Sequence, residues 1–135
     1  MSVAASGDGA LVAGGGDDSS IRLWRVDDGR LVHLLTGGSN HVYTVAFSPD
    51  SRWLASGGRE MGGAGTLWKG IAGRRLSGAR RPTVRLWRVS DGALLQALAE
   101  HDDNIWSLAF SPDGTLLASA SADGTVKLHR LIVTR

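Results

Sequence analysis

A repeat of 42 residues constrains this chain more than any other feature. Ser6-Gly7-Asp8-Gly9 matches Ser48-Pro49-Asp50-Ser51 at an offset of 42, and Ser48-Pro49-Asp50 matches Ser111-Pro112-Asp113 at an offset of 63. RLWRVDDG (22–29) matches RLWRVSDG (85–92), again at 63. The excess of 63 over 42 is 21, the length of the stretch 61–81, which matches nothing in the other copies. The chain is therefore three copies of one unit, the second interrupted between Glu60 and Pro82. A unit this short cannot bury its own faces and must stack on its neighbours.

Each copy carries short apolar segments of strand length and strand composition. Strand a is VYTVAF (42–47) or IWSLAF (105–110), and strand b is LVAGG (11–15), WLASG (53–57) or LLASA (116–120). Strand c is IRLWRV (21–26), VRLWRV (84–89) or VKLHRL (126–131), and strand d is LVHLL (31–35) or ALLQAL (93–98). Between them stand Asp8-Gly9, Asp28-Gly29, Asp91-Gly92, Asp113-Gly114 and Asp123-Gly124. Asp-Gly pairs supply the positive φ angles of tight hairpins, so each copy is expected to be an antiparallel meander. The fold class is all-β.

Composition excludes several alternatives. With 42% hydrophobic residues, 19 glycines and 3 prolines, the chain can bury a core. It has no cysteine, which removes disulfides, thiolate metal sites and cysteine nucleophiles and fits a reducing compartment. No apolar run approaches the roughly 18 residues of a membrane span, and the first residues lack a basic region followed by an apolar one. A cytoplasmic protein without a membrane partner is expected. The net charge is +2, but 61–81 alone holds Lys69, Arg74, Arg75, Arg80 and Arg81 with no acidic residue. The remainder has 10 basic against 13 acidic residues, so the basic character belongs to one segment.

The segments LAFSPDGTLLASASADGTVKLHRL and VAFSPDSRWLASGG…TVRLWRV resemble WD40 repeats, and the resemblance covers nearly all of the chain outside 61–81. It implies β-propeller blades of four strands, with strand a nearest the axis and strand d outermost. One WD40-repeat region, 1–135, is expected, with blades at 1–36, 37–99 and 100–135. Residues 2–6 align with 107–111, so the first copy starts inside its strand a. The four residues after Leu131 are too few for a strand d, and the expected order is a-b-c-d, a-b-c-d, a-b-c, an incomplete propeller.

The resemblance also implies a structural tetrad of His, Ser or Thr, Asp and Trp in each blade. The third copy has His101, Ser119 and Asp123, with His129 in the Trp position. The second has Ser56 and Trp87, with Gly38 for His and Glu60 for Asp; His41 lies three residues too late. The first keeps Asp18 and Trp24, with Gly14 in the Ser position. The Gly38 substitution implies a looser second blade. A Ser-His-Asp set also suits a hydrolase. It recurs with the repeat here, however, and no G-x-S-x-G elbow accompanies it, so the structural role is expected and no catalytic residue is assigned.

Other groupings carry less. Asp17-Asp18 and Asp102-Asp103 lack the spacing of a calcium loop and read as turn residues. Gly14-Gly15-Gly16 and GGAGTLWKG (62–70) match no phosphate-binding fingerprint. No metal or cofactor is expected. The insertion, basic and glycine-rich with Trp68 beside Lys69, reads as a passive loop, a polyanion-binding element or the product of a frame error or an unspliced segment. Blade geometry of the family type puts it on one face with Ser39, Asn40, His41, His101, Asp102 and Asp103, the candidate partner face.

The function these observations favour is a non-catalytic protein-interaction scaffold. The alternatives are nucleic-acid or polyanion binding through 61–81, and a truncated piece of a larger propeller with no independent function. An open stack of three blades leaves two faces bare, each large apolar side chain there forfeiting roughly 1.5–3 kcal/mol of burial. Self-association, such as two chains completing a six-bladed ring, or a need for the missing blades is therefore expected.

Overall fold

A computed structural model describes residues 2–16, 20–36, 41–59, 83–98, 101 and 103–131. Among these are eleven strands and no helix: β1 (Ser2–Ala5), β2 (Leu11–Gly15), β3 (Ile21–Arg25), β4 (Leu31–Leu35), β5 (His41–Phe47), β6 (Trp53–Arg59), β7 (Val84–Arg88), β8 (Leu94–Leu98), β9 (Ile105–Phe110), β10 (Leu116–Ser121) and β11 (Val126–Arg130). They form three antiparallel sheets, ordered β1-β2-β3-β4, β5-β6-β7-β8 and β9-β10-β11. Register repeats with the sequence: Ala13 pairs Leu23, Ala55 pairs Leu86 and Ala118 pairs Leu128. No helix among the described residues is long and apolar enough to cross a membrane. The insertion 61–81, Gly38 and the residues after Leu131 lie outside the described residues.

The turns after the inner strands are built alike. Ser6, Ser48 and Ser111 each donate a hydroxyl to the carboxylate two residues on, at 2.6 Å. The same hydroxyl accepts the N–H of Leu11, Trp53 or Leu116, at 3.0 Å each. The expected positive φ angles occur at all five Asp-Gly glycines, but the aspartates themselves are not left-handed. Each Asp instead caps the turn by accepting a backbone N–H two residues on, as in Ala10 to Asp8 and Arg52 to Asp50. These are therefore turns with one left-handed residue rather than two. At the Gly9 and Gly114 position the second sheet has Ser51, with φ 64°.

The core lies between sheets, not within them. Ala13, Ile21 and Leu23 of the first sheet pack with Val42, Val45 and Leu54 of the second. Ala55, Val84 and Leu86 of the second pack with Ile105, Leu108 and Leu117 of the third. Alternation puts every second residue of a strand on one face, so the second sheet serves both layers at once. Strands c end one residue earlier than expected. Val26, Val89 and Leu131 lie past the strand end, each N–H donating instead to Ala10, Arg52 or Thr115 in or beside the a–b turn.

Candidate functional site

Two groups of polar and aromatic side chains occupy the end of the stack where strands a begin. The first is buried. His101 is fully buried, with Nδ1 3.0 Å from Asp123 Oδ2 and Nε2 2.7 Å from Ser119 Oγ. His129 Nε2 lies 3.2 Å from the same Ser119 oxygen. A carboxylate only accepts, so His101 donates from Nδ1, and the Ser119 hydroxyl is shared between His101 Nε2 and His129 Nε2. Thr125 adds a hydroxyl bond to Asp123 and lies 3.2 Å from His101 Nδ1. The loop ahead of β9, the β10–β11 hairpin and β11 are thereby tied together.

This arrangement has the atom order of a hydrolytic triad but not its access. Ser119 is fully buried in mid-strand, and its oxygen is already shared between two imidazoles. A substrate carbonyl has no path to it. What the group does is satisfy buried polar atoms in a low-dielectric layer, where an unmet one is costly.

The other two sheets hold parts of the same group. Trp87 donates its indole N–H to Ser56 at 2.9 Å, both residues being buried. In the first sheet the Trp24 ring lies over Gly14, where an added Cβ would be 3.0 Å from the ring. Gly14 and Gly15 lie within β2, as the repeat places them. Asp18, in the first copy, lies outside the described residues.

The second group is partly exposed, and sequence reasoning missed its main members. Tyr43 and Trp106 stack with ring centroids 4.7 Å apart and an interplanar angle of 4°. His41 stacks on Tyr43 at 6.4 Å. Trp106 is 55% exposed. Both rings sit on bulges: β5 steps from Val42↔Gly58 to Thr44↔Gly57, leaving Tyr43 unmatched, and β9 steps past Trp106 in the same way. Gly58 makes the bulge passable, since a Cβ there would collide with the His41 carbonyl. A bulge of this kind re-aims a side chain out of the strand face. The signal was present in the sequence: 43 and 106 are 63 apart, both aromatic, at one repeat position.

Of the expected partner face, His41 joins this aromatic row. Asp103, three residues before Trp106, is held in place as its carbonyl accepts the Ser121 hydroxyl at 2.9 Å and its carboxylate accepts the Asn104 N–H at 2.8 Å. Ser39, Asn40 and Asp102 lie outside the described residues, as do Lys69, Arg74, Arg75, Arg80 and Arg81. Among the described residues no cluster of three His, Cys, Asp or Glu side chains could hold a metal.

Residues 1–25, 29–62 and 92–130 match the family described as "WD domain, G-beta repeat". The chain belongs to the WD40 repeat family. The last WD40 match, 92–130, runs from β8 through β11, so a sequence repeat supplies the outer strand of one sheet and the inner strands of the next. Its relatives include Coronin-7 of Mus musculus, 34% identical over 84% of this chain and 11% of the relative. "WD repeat-containing protein SL1-17" of Schistosoma mansoni is 34% identical over 95% of this chain and 49% of its own length. "Nuclear distribution protein nudF" of Aspergillus terreus is 31% identical over 94% of this chain and 28% of its own length. The WD40 chain thus spans half or less of these relatives.

Proposed function

We propose that this chain is a non-catalytic protein-interaction scaffold whose partner contact is the rim where β5 and β9 begin. The observation that carries this reading is the parallel Tyr43–Trp106 stack, with Trp106 more than half exposed. Tyr and Trp contribute disproportionately to protein contacts because they bury much area at little conformational cost. His41 and Asp103 add polar edges to the same rim. Membership of a family built from stacked repeats supports a scaffold over an enzyme. The burial of Ser119 and His101 supports a structural role for this set. A cysteine-free chain suits the reducing cytoplasm.

Trp106→Ala in the full chain tests the rim. Proximity labelling in cells should lose a defined set of neighbours while thermal unfolding stays within a few degrees of the wild type. An unchanged set of neighbours for Trp106→Ala and Tyr43→Ala together overturns the reading.

A further inference from the structure

The two layers between neighbouring sheets are built from the same repeat positions. Leu35 answers to Leu98, Phe47 to Phe110 and Val89 to Leu131. Leu11 of the first layer answers to Trp53, which packs into the layer between the second and third sheets. A leucine is much the smaller of the two, and a cavity of about 490 Å³ opens where it stands. Asp8 and Leu11 line this cavity from the first sheet, and Arg52, Trp53, Arg88 and Val89 from the second. The two a–b turns are joined beside it, where the Asp8 N–H lies 3.4 Å from the Ser51 hydroxyl. The apolar lining is buried or half-buried, and the charged lining is exposed.

The charged groups differ in what already engages them. The Asp8 carboxylate accepts the Ser6 hydroxyl and the Ala10 N–H. Arg88 is held by Asp91 through bonds of 3.0 and 2.9 Å. Arg52 lies in the field of Asp50, but its side chain makes no hydrogen bond or ion pair among the described residues. It is also particular to this crevice, since the same repeat position is Ala10 in the first copy and Thr115 in the third. The site therefore offers an uncommitted guanidinium beside a partly covered apolar surface. A guanidinium is best matched by a carboxylate, which takes two parallel N–H bonds. The Asp8 charge on the other side of the cavity repels a second anion, so a single carboxylate fits better than a polyanion.

We infer that this crevice binds an extended segment of a partner protein in which an acidic side chain stands next to a large aromatic one, the carboxylate on Arg52 and the ring over Leu11 and Val89. A chain segment suits the site better than a free small molecule, which needs most of its surface covered, because the charged side of the crevice faces water. The contact lies at the opposite end of the strands from Tyr43 and Trp106 and does not rest on that rim.

The test is a nuclear magnetic resonance titration of the isotope-labelled full chain with three capped pentapeptides, Ala-Phe-Glu-Phe-Ala, Ala-Phe-Gln-Phe-Ala and Ala-Ala-Glu-Ala-Ala. The first should shift the Arg52 Nε–H and Leu11 methyl signals and bind about tenfold more tightly than either of the others. Two substitutions install the residues of the other copies. Arg52→Thr should erase the preference for the Glu peptide over the Gln peptide, and Leu11→Trp should weaken both aromatic peptides by about tenfold. Both variants should keep the circular dichroism spectrum of the wild type. If Leu11→Trp fails to fold, the Arg52→Thr comparison decides alone. Absence of shifts at Arg52 and Leu11 overturns the inference, as does equal binding of the Glu and Gln peptides to the wild type, or full affinity in a folded Leu11→Trp variant.

Discussion

Gly57 lies directly beneath Ile105: a Cβ on Gly57 would sit 2.8 Å from Ile105 Cγ2. Gly15 stands in the same relation to Val42, whose side chain a Cβ there would overlap. The two pairs are one device repeated, a hollow on one sheet filled by a β-branched side chain of the next. Gly57→Ala should cost about 1–3 kcal/mol through overpacking. Ala120→Gly, at the equivalent position of the third sheet, should cost under about 1 kcal/mol, the entropy of the added glycine. Urea unfolding of both variants checks the contrast.

The Ser119 hydroxyl is shared by two imidazoles, whereas the Ser56 hydroxyl receives the indole of Trp87. Ser56→Ala should destabilise by about 1–3 kcal/mol, the cost of a buried donor deprived of its acceptor. Ser119→Ala should destabilise more, because one substitution disrupts both imidazole contacts. Equal losses in thermal unfolding would count against this account.

Ser51 occupies a left-handed backbone position that is glycine in the other two copies. A non-glycine residue pays roughly 1 kcal/mol there. Ser51→Gly should therefore raise stability by about 0.5–1 kcal/mol, less the unfolded-state freedom that glycine adds. A rise of a few degrees in the unfolding midpoint is the expected reading.

The turn carboxylates make stability fall in acid. The Ser111 hydroxyl, followed by the backbone and hydroxyl of Thr115, holds the Asp113 carboxyl down to about 2. Asp8 is lowered by Ser6 and then Ala10, and Asp91 by Arg88 and then Ala93. Burial would raise Asp50, but its hydrogen bonds to Ser48 and Arg52 outweigh that. Each group binds its proton less readily folded than unfolded. Its contribution is thus present above the unfolded value near 4 and is lost as pH falls towards 2. Asp113→Asn should flatten the fall in unfolding midpoint between those values, leaving the curve above it parallel to the wild type.

Much of the architecture was legible because the repeat states each strand two or three times. The tetrad residues could be aligned in the same way, and Ser119, His101 and Asp123 do meet. Tyr43 and Trp106 could not be found by the criteria that find strands. A bulge adds a residue that breaks the alternation, so a side chain that period-two reasoning puts on a strand face is turned out instead. The ends of strands c were also missed. Val26, Val89 and Leu131 look like strand residues, but their N–H groups bond beside a turn rather than within a ladder. Their side chains carry the strand's apolar alternation past its last ladder bond, Val89 sharing a cluster with Trp87 two residues earlier.

The hollow and its filler always occur in one order, glycine on the earlier sheet and Val or Ile on the later. That gives the stack a polarity, like the barbs on an arrow. A sheet standing between two others in this stack must therefore present Val or Ile to the one before it and glycine to the one after, as the second does with Val42 and Gly57.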